Sequence, residues 1–312
     1  MLRKMILLCL TLAVATPALT AYAAESSSSQ RKVIKNVHIR SHIKNANTDS
    51  AILLDNETLG VLKLASSKAL IVNQATGETL YAKGTDVPTP VASVTKLMTA
   101  MVMLDAQLPM NEKLAITVDD LDTLKGTGSR LRLGTELTRS ELLQLALMAS
   151  ENRAASALGR NYPGGLSAFI HAMNKKAAAL GMAHSQFVDP TGLNSQNIST
   201  AEDLVKMVDA AYQYPEIREL TTAVSHAVAT GGKRPLNFVN TNSLVRKSDW
   251  IIGLSKTGFI NEAGRCLVMQ AEIGGHPLII ILLDSWGKYS RIGDAQRIRK
   301  WLESSNVLSH LG

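Results

Sequence analysis

From Ala69 onward the apolar residues come in short runs separated by turn chemistry. The segment SKALIVNQATGETLYAKG holds one run from Ala69 to Val72, a turn at Ala75-Thr76-Gly77 and a second run through Leu80 and Tyr81, the pattern of a β-hairpin. Pro88-Thr89-Pro90 closes it. Proline is tolerated at a helix entrance but not inside one, so PVASVTKLMTAMVMLDA is expected to continue as a helix. Through the middle of the chain the spacing stays helical. In TRSELLQLALMAS, Thr138 and Glu141 form a capping box ahead of Leu142, Leu145, Ala146 and Met148. GGLSAFIHAMNKKAAALG repeats the period, and STAEDLVKMVDAAYQY does so with Ser199 and Glu202 as a second expected capping box.

After Ser248 the period changes. WIIGLSKTGFI, GRCLVMQAEIGG and HPLIIILLDS are three short apolar runs parted by Asn261-Glu262-Ala263-Gly264 and Gly274-Gly275, an antiparallel meander, and AQRIRKWLESS closes the chain as a helix. Strands at both ends with helices between predict the α+β class. One antiparallel sheet is assembled from the two chain ends and packed with helices, and a helical insertion spans about 107–245.

The first two dozen residues follow a different pattern. Arg3 and Lys4 precede the apolar MILLCLTLAVA, and Ala21-Tyr22-Ala23 ends it, the three parts of a secretory signal peptide over 1–23. An uncleaved anchor is the alternative, but the apolar centre is short of the ~20 residues a span needs. Residues 24–62 begin ESSSSQ and turn basic through Arg31, Lys32, Lys35, Arg40 and Lys44, with no sustained period, as in a flexible leader. Residues 63–312 are left as the folded domain, and no later segment looks membrane-spanning.

Charge and cysteine usage narrow the chemistry. The formal charge of +7 falls to +5 once Arg3 and Lys4 are removed, and much of the surplus lies in the leader, so no nucleic-acid-binding surface is indicated. Four Phe, six Tyr and three Trp are too dispersed for a base-stacking platform. Of the two cysteines, Cys9 is lost with the signal and Cys266 sits in apolar RCLVMQA, where a small inert core residue is expected and no internal disulfide is possible. His38 and His42 stand at i, i+4 without an acidic or cysteine partner, so neither a metal nor another cofactor is implied.

One ionisable residue sits where it should be expensive. Lys96 lies three residues after Ser93 at the head of an apolar run, on the same helical face. Burial there lowers an ammonium pKa and leaves an amine able to take the serine proton, which would make Ser93 an activated nucleophile. By itself S-x-x-K also fits a capping serine beside a snorkelling lysine. Ser150-Glu151-Asn152 follows at the end of the helix ELLQLALMAS, and Lys256-Thr257-Gly258 lies on a predicted strand. Alone, Asn152 fits a helix cap and Thr257-Gly258 a bulge. Their joint order is what the structural readings leave unexplained.

The series S-x-x-K, S-x-N, K-T-G resembles the penicillin-binding proteins and serine β-lactamases. YAKGTDVPTPVASVTKLMTAMVMLDA, LALMASENRAASAL, FVDPTGLNSQNISTAEDL and KTGFINEAGRCLVM further resemble the low-molecular-mass D-alanyl-D-alanine peptidases, nearest to the penicillin-binding protein 7 type of D,D-endopeptidase. The likeness runs from about Ala69 to Trp301 and leaves the leader unmatched.

That resemblance implies a β-lactamase/transpeptidase-like fold and a serine acyl-enzyme. Ser93 would attack, Lys96 is the leading general base, and Ser150 passes a proton to the leaving amine. Asn152 holds the substrate amide. Lys256 and Thr257 meet the substrate carboxylate, Gly258 leaves room for substrate along the strand, and the N–H groups of Ser93 and Phe259 form the oxyanion hole. Asp189-Pro190-Thr191-Gly192-Leu193-Asn194 lacks the glutamate with which class A β-lactamases deacylate, so β-lactams are implied as covalent inhibitors. The related anchored carboxypeptidases carry an additional β domain and an amphipathic terminal helix, whereas this chain stops at Gly312. The implied protein is a soluble periplasmic enzyme, loosely wall- or membrane-associated at most, that hydrolyses D-alanyl–meso-diaminopimelate cross-links in peptidoglycan. The alternatives are a D,D-carboxypeptidase trimming pentapeptide stems and a non-catalytic wall-binding scaffold.

Overall fold

The computed structural model describes residues 62–232, 234–305 and 307–308. The expected signal sequence and the leader up to its last residue, His38 and His42 included, lie outside the described residues. Strand β1 (Ser66–Asn73) and β2 (Thr79–Lys83) form the expected hairpin. Asn73 accepts from the amide of Ala75 at 2.9 Å, and Gly77 turns the chain at φ +75°. After β3 (Thr89–Pro90) comes a 3₁₀ turn at Ala92–Thr95, and only then α1 (Lys96–Asp105). Every α1 residue from Lys96 to Met103 is buried, which is why its sequence is apolar on all sides.

A ribbon of β4 (Lys113–Ala115) and β5 (Glu136–Thr138) leads into α2 (Arg139–Met148), whose capping box is Thr138 and Glu141 as predicted. Helices α3 (Asn152–Arg160) and α4 (Gly165–Ala179) follow, and β6 (Ile198–Ser199) pairs with β3. The cap of α5 (Ala201–Tyr212) falls one residue later than expected. Thr200 Oγ1 accepts from the Asp203 amide at 3.1 Å, while Ser199 is held in β6 and Glu202 receives the Thr85 hydroxyl. Then come α6 (Pro215–Thr222), a hairpin of β7 (Ser225–Val228) and β8 (Leu236–Val239), the meander β9 (Ile251–Ile260), β10 (Gly264–Ile273) and β11 (His276–Ser285), and α7 (Ser290–Ser304).

The five long strands form one antiparallel sheet in the order β2-β1-β11-β10-β9. Pairing β1 with β11, with Ile71 opposite Ile280, joins the two ends of the chain as the sequence pattern predicts. Both faces are covered. Leu70, Val72, Val268 and Ile281 pack into the core around α1, and Ile71, Met269, Ile280 and Leu282 pack with Ile298, Trp301 and Leu302 of α7. Double coverage explains the unbroken apolar runs, and each fully buried Leu or Ile contributes roughly 1.5–3 kcal/mol. Helix α7 is tied to β1 by Asp294, fully buried, whose carboxylate accepts from the amides of Ala65 (2.9 Å) and Ser66 (2.8 Å) and from the Ser66 hydroxyl (2.6 Å).

Candidate active site

Ser93 stands on the 3₁₀ turn rather than on the α-helix expected for it. In a 3₁₀ turn residues i and i+3 eclipse, so the hydroxyl still lies directly under the Lys96 amine. The turn opens at Ala92 with φ +48°, a conformation L-residues avoid. Surrounding bonds hold it there: Thr95 Oγ1 donates to the Ala92 carbonyl at 2.8 Å, Asn197 Nδ2 donates to Thr95 Oγ1 at 3.1 Å, and the Val91 amide donates to the Asn197 carbonyl at 3.0 Å.

Lys96 Nζ lies 2.8 Å from Ser93 Oγ, 2.8 Å from Asn152 Oδ1 and 2.7 Å from the Thr191 carbonyl oxygen. Two of these neighbours only accept hydrogen bonds, and the third has a proton to give. A neutral amine matches that set, with two N–H donors for the acceptors and one lone pair for the serine. Complete burial pushes the Lys96 pKa down to about 7, with Asp189 and Glu151 opposing the shift.

Ser150, between α2 and α3, is held at φ +61° and meets the amine of Lys256, on β9, at 2.9 Å. Lys256 is buried. Its pKa is driven well below the ordinary lysine value by burial first, then by the charges of Lys96 and Arg291. Thr257 donates to Thr241 Oγ1 at 2.7 Å. Gly258 has a nearer neighbour than the substrate the resemblance assigned to it: a Cβ there would lie 3.0 Å from the Ser93 amide nitrogen, the Val91 carbonyl oxygen and the Ala92 side chain. The glycine therefore lets β9 lie directly against the nucleophile turn. Phe259 follows on the same strand, its side chain half exposed under the Arg265 guanidinium 4.4 Å above the ring. All the sequence-predicted residues thus converge on one place. Cys266, by contrast, is buried and its thiol is pushed up to about 11 by burial, as its apolar setting predicted.

The family model described as peptidase S11, D-alanyl-D-alanine carboxypeptidase, matches residues 40–286. The chain belongs to the peptidase S11 family. The match starts within the segment expected to be an unmatched leader. Among S11-like relatives, the D-alanyl-D-alanine endopeptidase of Pseudomonas aeruginosa is 48% identical over 78% of this chain and 79% of its own length. The D-alanyl-D-alanine endopeptidase of Escherichia coli is 47% identical over 79% and 80%. The crystal structure of the Streptomyces K15 DD-transpeptidase superposes with a TM-score of 0.71 at 29% identity, covering 78% of this chain and 98% of that one. These likenesses agree with the family and fold drawn from the three motifs.

Three parts of the S11 site escaped sequence reasoning. The first is the loop carrying Thr191. Asp189 Oδ1 accepts from the Thr191 amide (2.6 Å), the Thr191 hydroxyl (2.6 Å) and the Gly192 amide (2.8 Å), and Oδ2 from the Asn194 amide (2.9 Å). This aims the Thr191 carbonyl at Lys96, and the Asp-Pro-Thr-Gly turn chemistry was its available signal. The second is Thr241, which has no motif of its own. The third is Arg291, most of it buried, which donates to the Gly258 carbonyl at 3.3 Å and whose guanidinium pKa is lowered by burial and by Arg265. It was hidden because α7 begins before the predicted closing helix.

Among the described residues no helix is long and apolar enough to cross a membrane.

Proposed function

We propose that this S11 chain is a periplasmic D,D-endopeptidase, acting on D-alanyl–meso-diaminopimelate cross-links of peptidoglycan through an acyl-enzyme on Ser93. The observation that carries the reading is the contact of Ser93 Oγ with a buried amine whose other two partners are acceptors. Lys96, neutral, takes the Ser93 proton as Oγ bonds to the D-alanyl carbonyl carbon. The negative charge moves to the carbonyl oxygen, held by the N–H groups of Ser93 and Phe259. Collapse breaks the amide C–N bond. The leaving nitrogen takes its proton from Ser150, and the proton that Lys96 took from Ser93 replaces it through Lys256, which returns Lys96 to the neutral amine; Asn152 and Thr257 hold the substrate's amide and carboxylate. Water, activated by Lys96, then hydrolyses the ester.

Endopeptidase rather than carboxypeptidase is favoured by the names of the relatives at 48% and 47% identity. A scaffold role is disfavoured because two buried lysines are costly to keep without chemistry. β-Lactams are read as slow-turnover acylating inhibitors, since the Asp189 carboxylate is fully engaged within its own loop. We assign 1–23 to an export signal, 24–62 to a basic leader and 63–312 to the peptidase domain with its helical insertion at about 107–245.

Mass spectrometry of products from a mixture of cross-linked muropeptide dimer and pentapeptide monomer, with Ser93→Ala as control, tests the reading. Conversion of dimer to monomers is expected. Loss of one alanine from the pentapeptide with the dimer intact transfers the assignment to a carboxypeptidase.

A further inference from the structure

A cavity of about 630 Å³ opens beside the Ser150 loop, between residues 129–135 and the tip of the β7–β8 hairpin. Arg130, Arg132 and Arg234 line it, and no described lining residue is acidic. Arg132 and Arg234 are exposed and form no ion pair among the described residues. Arg130 is held in place instead, donating to the Asn237 carbonyl at 2.7 Å with its guanidinium 3.8 Å over the Phe238 ring. The loop between the first two arginines is anchored as well. Leu131 is buried and its carbonyl accepts from Arg153 at 2.6 Å, while Gly134 turns the chain at φ +77° and its amide donates to the Ile116 carbonyl at 2.8 Å. Arginines without an ion pair of their own among the described residues, two of them on an anchored loop, form a receptor for anions.

Both walls of the cavity are connected to the active site. Ser129 donates to the Glu151 carboxylate at 2.7 Å, and Glu151 lies between Ser150 and Asn152. Strand β8, which forms the other wall at Leu236, runs on into Thr241, the acceptor of the Thr257 hydroxyl. Ser150 and Thr257 are the residues assigned above to the leaving amine and its carboxylate, so these two connections tie the arginine-lined cavity to the leaving-group side of the site.

We infer that this arginine pocket receives the carboxylates of the leaving stem peptide and so selects cross-linked substrate over terminal D-alanine. The inference rests on the endopeptidase reading. A single D-alanine carries one carboxylate, already met by Lys256 and Thr257. In a departing tetrapeptide stem the diaminopimelyl carboxylate beside the leaving amine takes that same place, and the further ones, on the glutamyl and terminal residues, need a second basic site. Leu133 and Leu236 supply apolar surface for the alkyl parts of the same peptide.

The test compares wild type with R132Q/R234Q on two readouts. The first is the ratio of kcat/KM for muropeptide dimer to that for pentapeptide. Loss of two exposed Arg–carboxylate pairs lowers this ratio on the order of tenfold, mainly through KM, and a general folding defect lowers both rates and leaves the ratio unmoved. The second is calorimetric affinity for the free tetrapeptide stem, expected to weaken by a similar factor and to lose much of its salt dependence. Equal tetrapeptide affinity in both proteins overturns the pocket and leaves the endopeptidase standing. A wild type that spares the dimer yet binds tetrapeptide through the two arginines removes the endopeptidase and keeps the pocket. Inorganic phosphate competing as well as tetrapeptide reduces it to a general anion site and overturns the assignment.

Discussion

A Cβ atom on Gly192 would fall 1.9 Å from the carbonyl oxygen of Ala92, the residue before the nucleophile. Two backbones are in contact there with no room for a side chain, and Gly192 is also at φ +81°. Gly192→Ala is therefore expected to cost at least about 2 kcal/mol and to abolish covalent penicillin labelling of Ser93. Gly77→Ala, at φ +75° with open space around it, should lose only about 1 kcal/mol and keep its labelling. Urea unfolding and fluorescent-penicillin gels measure both. Equal labelling in the two variants would show that the Gly192 contact does not set the Ser93 turn.

The pH dependence of acylation follows from Lys96. Its reactive form is the neutral amine, and with a pKa of about 7 that fraction grows as pH rises. Second-order acylation by a penicillin should climb about tenfold per unit well below pH 7 and level off above it. Lys96→Arg, which stays charged, should remove the plateau. A rate flat from pH 5 to 8 would exclude Lys96 as base.

The same residue couples pH to stability. Its pKa falls from 10.5 in the unfolded chain to about 7 in the folded one, so between these values the unfolded chain binds the extra proton. Folding is then penalised fully below pH 7, and the penalty disappears as pH rises toward 10.5. The wild-type stability, minus that of Lys96→Met, should grow by about 1.4 kcal/mol per pH unit across that window. Taking the difference removes the part of the Lys256 titration that burial causes, while the part that the Lys96 charge causes stays in the slope. Chemical denaturation at pH 7, 8 and 9 gives the slope, and a constant difference would contradict it.

Asp294 provides a test away from the chemistry. Asp294→Ala leaves the buried Ser66 amide and hydroxyl without their acceptor and should cost about 2–4 kcal/mol. Penicillin labelling at 20 °C should persist in the folded fraction. A change within 0.5 kcal/mol would mean that water replaces the carboxylate.

Most of this site was legible because its chemistry lies in side chains with fixed spacing. Ser93, Lys96, Ser150, Asn152 and Lys256 are each visible as a residue type at a place, and the sheet of both chain ends followed from period alone. What stayed hidden was carried by backbone or by distant partners. The Thr191 carbonyl has no residue signature, and the Thr241 hydroxyl matters only through Thr257. The capping of α5 was misplaced by one because Ser199 and Thr200 both offer a hydroxyl, and pairing with β3 claims the first. Gly258 was read for the substrate it would admit along the strand, and its close approach to Val91–Ser93 is a tertiary contact that no local pattern shows.

Joining the first long strand to the last has a consequence for how the enzyme comes into being. Ser66 and Ser285 pair across 219 residues, and β9, carrying Lys256, reaches β1 only through β10 and β11. No prefix of the chain can complete the sheet, so closure waits for a loop of that length and is slow by topology. Ser93 and Lys96 are translated early but face Lys256 only once the final strand has docked. Hydrolytic power over the polymer that encloses the cell is therefore withheld from every incomplete or still-emerging copy.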